Sequence, residues 1–242
     1  MIYSHIKAIL FDKDGTIIDF MHTWYPLFSR FVQGLAQRAE LQPQEARALA
    51  HDLGDRDDDL SPDSVFAHGS FQDILQIIQN HAPGFKYEDM VQAFQDGFSG
   101  HEIDAKPIGQ VRQTLETLKQ RGYLIGLATA DDDANTRHTL GRANLLDLFE
   151  FLGTHNSVKQ GKPHRELMDL FCQTYGLEPA QVAMVGDTRR DMEFGRNSGA
   201  GQCIFVRTSF PDTNAEALAH TVLDTVNHIL GDIGDAENTG DE

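Results

Sequence analysis

The chain has 242 residues, 40% of them hydrophobic and 24% charged. This bounds it to one large α/β unit or a core with a smaller insert, and excludes a disulfide-dependent miniprotein or a wholly disordered chain. Thirty-seven acidic side chains against 20 basic ones give a formal charge of −17, a field that repels nucleic acid and anionic lipid alike. The only cysteines, Cys172 and Cys203, lie outside any CxxC or zinc-ligand spacing, which fits a reducing cytoplasm. No apolar run approaches the roughly 18 residues of a membrane span.

In chain order, the apolar run at residues 6–11 (IKAILF) predicts a buried strand that stops at Asp12. Residues 19–104 carry apolar side chains at helical intervals, Leu27, Phe28, Phe31, Val32 and Leu35, then Ile74, Leu75, Ile77 and Ile78. They predict a helical insert large enough to act as a lid. Within it, Asp55 to Asp59 (DRDDD) resembles the start of a calcium loop, but Leu60 and Phe66 stand where that loop needs Gly and Glu. The stretch therefore reads as a solvated acidic turn.

From residue 105 helix and strand alternate. A helix bearing Ile108, Val111, Leu115 and Leu118 closes at Gly122 and feeds a strand at 123–128. Then come a helix at 132–144, a strand at 149–152, a helix at 164–175 closed by Gly176, a strand at 182–185, a helix at 189–198 closed by Gly199, and a strand at 202–206. The pattern predicts a Rossmann-like, doubly wound parallel sheet covered on both faces, with ligands bound at the carboxyl ends of its strands. The expected division is an α/β core of residues 1–18 and 105–231, a helical cap of 19–104, and an acidic flexible tail of 232–242.

Parallel strands bring four separated points to one sheet edge: Asp12 and Asp14 around Lys13, then Thr129, then Lys162, then Asp187 with Asp191. Oxygen donors without His or Cys suit Mg²⁺, which also relieves the repulsion among crowded carboxylates. A carboxylate can attack phosphorus in line to form an aspartyl phosphate, while cation, ammonium, hydroxyl and backbone amides hold the transferring group.

FDKDGT (11–16), LAT (127–129), GKP (161–163) and VGDTRRD (185–191) closely resemble the four motifs of the haloacid dehalogenase superfamily, in its magnesium-dependent phosphatase branch. The insert resembles the helical type 1 cap of the phosphoglycolate phosphatase group. The resemblance implies that Asp12 is nucleophile and metal ligand, and that Asp14 is the acid/base offering its main-chain carbonyl to Mg²⁺. It implies that Thr129 and Lys162 bind phosphoryl oxygens, and that Asp187 is a metal ligand with Asp191 beside it, in direct contact with the ion or one step removed. The family often has Asn after the motif-two hydroxyl; here Ala130 stands there, leaving its amide to bind phosphate.

Around these residues, Lys13 faces either site or solvent, and Lys162 is preferred over Lys159 for its bond to Pro163. Asp131, Asp132 and Asp133 are expected to cap the following helix. His22 and Trp24, at the entry to the insert, are candidates to line a substrate pocket. The implied activity is hydrolysis of a small-metabolite phosphomonoester, phosphoglycolate first. The alternatives are a phosphosugar mutase of the same chemistry or a non-catalytic phosphometabolite-binding module. Monomer and homodimer stay equally open.

Overall fold

The computed structural model describes residues 5–56, 59–61, 64–68, 71–98, 103–207 and 213–232. Its contacts divide the chain into two compact units, Met1–Asp19 with Ala105–Glu242, and Phe20–Asp104. In the first unit the run before Asp12 forms β1 (Ala8–Phe11), buried at every position.

The second unit is helical: α1 (Phe20–Arg38), α2 (Pro43–Leu53), α3 (Val65–His68), α4 (Phe71–His81) and α5 (Tyr87–Phe98). Its core gathers the periodic residues of the sequence, Phe28, Phe31, Leu35, Ile74 and Ile78, around Leu49, Leu53 and Met90. Phe31 and Phe94 meet edge to face with ring centroids 5.7 Å apart, joining α1 to α5. The acidic stretch after α2 carries a bridge between Asp55 and Leu60; Asp57 and Asp58 lie outside the described residues.

The chain returns to the first unit through α6 (Val111–Gln120), β2 (Leu124–Ala128), α7 (Asp133–Arg142), β3 (Phe151–Gly153), α8 (Glu166–Tyr175), β4 (Val182–Gly186), α9 (Arg189–Ser198) and β5 (Gln202–Val206). It ends in α10 (Thr213–Leu218), β6 (Thr221–Leu223) and α11 (Ile229–Asp232). The six strands are all parallel in the order β3-β2-β1-β4-β5-β6, a doubly wound α/β sheet as expected. The apolar face of α8 (Leu167, Met168, Phe171) packs with Ala8, Leu10, Ala128 and Met184 of the sheet. Gly122, Gly176 and Gly199 all take positive φ where helices end.

Some expected edges move. The third strand is Phe151–Gly153, two residues later than its apolar run suggests, because Leu146–Leu148 is a 3₁₀ turn and pairing with β2 begins only at Phe151. The helix expected from residue 164 begins at Glu166, after a turn in which the His164 N–H bonds the Gly161 carbonyl. Residue 232 ends α11, and the rest of the expected flexible tail, 233–242, lies outside the described residues. Among the described residues no helix is long and apolar enough to cross a membrane.

Candidate active site

The site begins with strand order. β1 lies between β2 and β4 in parallel register, so the residues after Phe11, Ala128 and Gly186 come to one edge. The Asp12 N–H bonds the Val185 carbonyl at 2.8 Å, extending the ladder by one residue. The chain then turns sharply, with the Ile17 and Ile18 amides bonding the Lys13 carbonyl and Gly15 at φ 82°. Asp187 leaves β4 just ahead of Thr188, which caps α9 through a reciprocal pair with Asp191. Lys162 arrives from the loop before α8.

These side chains are buried together. Lys162 Nζ lies 2.5 Å from Asp12 Oδ1 and 2.5 Å from Asp191 Oδ1. Asp187 Oδ1 accepts from the Thr16 hydroxyl at 3.0 Å, and Asp191 Oδ2 accepts from the Thr188 hydroxyl at 2.6 Å. Asp12, Asp187 and Asp191 each offer a carboxylate oxygen within 4.8 Å of the others. Burial pushes the Asp12 carboxyl up to about 7, against the pull of Lys162 and with the repulsion of Asp191 and Asp14. Burial, Asp12 and Asp191 likewise hold Asp187 well above the usual carboxylate range, against its Thr16 bond and Lys162. Burial opposes the charge on Lys162 as well, but Asp12 and Asp191 outweigh it and raise its pKa. One ammonium among three carboxylates leaves an excess of negative charge. A buried, all-oxygen donor set with that excess fits a hard divalent cation.

Residues 6–199 match the haloacid dehalogenase-like hydrolases. The chain belongs to this family. Among curated relatives, a pyrophosphatase PpaX of Bacillus pumilus is 26% identical over 204 residues, covering 81% of both chains. An N-acetylmuramic acid 6-phosphate phosphatase of Pseudomonas aeruginosa is 26% identical over 195 residues, covering 80% of this chain and 79% of its own. A solved structure described as a "predicted phosphoglycolate phosphatase" from Haemophilus somnus superposes with a TM-score of 0.73 at 19% identity, covering 94% of this chain and 97% of that one. At that identity the likeness establishes the fold.

Against the expectations drawn from this hydrolase family, Asp12, Lys162, Asp187 and Asp191 come together. The Asp14 carboxylate stands outside the three-carboxylate group, and its Oδ2 pairs with Lys13 Nζ at 3.2 Å. Lys13 does not face solvent; it is fully buried, and bonds Asp131 as well. Burial works against its charge, but Asp14 and Asp131 prevail and raise its pKa. Of the three acids expected to cap α7, Asp132 is the cap, accepting from the Asn135 N–H at 2.8 Å. Asp133 pairs with Arg137, and Asp131 turns inward to Lys13. Thr129 is buried at the end of β2, its hydroxyl accepting from the Asp131 N–H at 3.2 Å; Ala130 is exposed. Lys159 is exposed, whereas Lys162 is buried. In the helical unit His22 is exposed and pairs with Asp104 at 2.9 Å, and Trp24 is half-buried. Thr16 and Thr188 went unnoticed as holders of carboxylates, although T-x-x-D at 188–191 carries a capping-box signal.

Proposed function

We propose that this chain hydrolyses the phosphomonoester of a small cytoplasmic metabolite through an aspartyl phosphate on Asp12, with Mg²⁺ at the carboxylate group. The observation carrying this reading is Lys162 Nζ 2.5 Å from Asp12 Oδ1 inside a buried group of three carboxylates. Asp12 attacks phosphorus, forming an oxygen–phosphorus bond as the ester bond breaks, and Asp14 gives its proton to the leaving oxygen. Lys162 offsets charge on the transferring group. The Thr129 hydroxyl accepts from Asp131 and keeps its own hydrogen to donate to a phosphoryl oxygen, beside the Ala130 amide. Water then attacks phosphorus and gives its proton to Asp14, freeing inorganic phosphate and Asp12. Asp12, Asp187, Asp191 and the Asp14 carbonyl would hold Mg²⁺, which when bound would supply positive charge to the phosphoryl oxygens.

The names of the similar proteins set the substrate panel: 2-phosphoglycolate first, then N-acetylmuramic acid 6-phosphate and pyrophosphate. The test is release of inorganic phosphate. We expect turnover of at least one of the two esters, abolished by chelation, and a loss in kcat of at least about 10³-fold in Asp12→Asn with the thermal unfolding transition retained; turnover of pyrophosphate alone would make the chain an anhydride hydrolase instead. Isomerised product without phosphate release would indicate a mutase. Undiminished turnover in Asp12→Asn would overturn the mechanism.

A further inference from the structure

Among the described residues, Lys13 is a buried charge to which phosphoryl transfer gives no task. Lys13 has no exposed surface, and an ammonium removed from water is tolerated only where carboxylates surround it. Among the described residues its carboxylate partners include Asp14 Oδ2 at 3.2 Å and Asp131 Oδ2. Asp131 is itself fixed on three sides. Its Oδ2 accepts from Asn135 Nδ2 at 2.6 Å, its Oδ1 from the Asp132 N–H at 2.8 Å, and its own N–H donates to Thr129 Oγ1 at 3.2 Å. The end of β2 and the first turn of α7 thus hold a carboxylate that holds Lys13, which in turn holds one oxygen of Asp14.

We infer that Lys13, anchored by Asp131, is the positioning residue for Asp14, fixing one carboxyl oxygen so that the other meets the leaving group. This rests on the proposed role of Asp14 as acid/base. Asp131 shares with Asp14 the countercharge a buried ammonium requires, and being anchored by its own bonds it fixes where the ammonium, and with it the Asp14 oxygen, sits. A misplacement of about 1 Å at a proton donor is enough to slow transfer by orders of magnitude. The same contacts lock Asp131 to Thr129, so the acid and the phosphate-binding hydroxyl share one support.

A proton donor matters most when the leaving group is poor, and that separates positioning from general damage. Steady-state kinetics on p-nitrophenyl phosphate and phenyl phosphate, at fixed Mg²⁺, read the ratio of the two kcat values. Asp14→Asn sets the full skew of that ratio toward the better leaving group. We expect Lys13→Met to lose at least tenfold more kcat on phenyl phosphate than on p-nitrophenyl phosphate, with KM on each within about twofold. Asp131→Asn, at a partly exposed residue, should skew the ratio in the same sense if Lys13→Met does not fold. Equal losses on both esters in these variants, or no loss, overturn the inference while a skewed Asp14→Asn leaves the parent reading standing. An unskewed Asp14→Asn, or a wild type that releases phosphate from neither ester, overturns both.

Discussion

Gly15 shows how narrowly the site is built at the level of single residues. It turns the chain after Asp12 at φ 82°, and a Cβ placed there would lie 2.0 Å from Asp187 Oδ2. The position therefore rejects a side chain twice, once for a left-handed backbone that costs other residues about 1–2 kcal/mol, and once for space. Gly186 is constrained by space alone: a Cβ there would meet the Asp191 Cβ at 2.3 Å. We expect Gly15→Ala to push Asp187 out of the carboxylate group, lowering Tm by several degrees and weakening Mg²⁺ binding at least tenfold, read by thermal melting with and without the ion. An alanine variant that binds Mg²⁺ as the wild type does would mean that Asp187 is not a ligand. Much of this was legible in DxDGT, whose glycine signals a tight turn; its second constraint was not, because Asp187 lies 172 positions away in the sequence.

Among the secondary-structure elements, α9 carries the most. Thr188 and Asp191 form a reciprocal cap, the Thr188 N–H and hydroxyl both donating to Asp191 Oδ2 at 3.1 and 2.6 Å. The other oxygen of Asp191 accepts from Lys162, so the residue that starts the helix also completes the buried charge cluster. Thr188→Ala removes the cap, at a cost of about 1 kcal/mol, and releases one side of Asp191. The expected result is a Tm lower by about 2–4 °C and a several-fold drop in kcat, with Thr188→Ser restoring both; a melting shift with unchanged kcat would confine Asp191 to capping. The bounds of α9 and β5 could be read directly, since Gly199 punctuates them and their apolar periods are unmixed. What escaped reading were short edge pieces and choices among like residues. β6 is three residues long, too short for a period, and lies at the sheet edge. Asp131, Asp132 and Asp133 are interchangeable as letters, and only the start of α7 at Asp133 decides that Asp132 caps it while Asp131 reaches Lys13.

For the molecule as a whole, a chain with a formal charge of −17 adds to its electrostatic load by burying three carboxylates at one sheet edge, and this sets a pH dependence of stability. Folded Asp12 keeps its proton up to about pH 7, whereas its ordinary value is 3.8; Asp187 shifts in the same direction. Between those limits the folded chain binds more protons than the unfolded one. The contribution of these groups is therefore fully present below about pH 4 and is lost as the pH rises toward 7. A divalent cation competes with the same protons, so what it restores should grow over the interval in which they leave. Mg²⁺ at about one hundred times its dissociation constant stabilises by about 2.7 kcal/mol, or roughly 5–10 °C in Tm for a chain of this size. We expect a rise of that order at pH 8, little rise at pH 5, and none at either pH in Asp187→Asn. Taking the difference between melts with and without the ion at each pH cancels the histidines and surface acids, which titrate equally in both. A rise as large at pH 5 as at pH 8 would locate the bound ion away from Asp12 and Asp187.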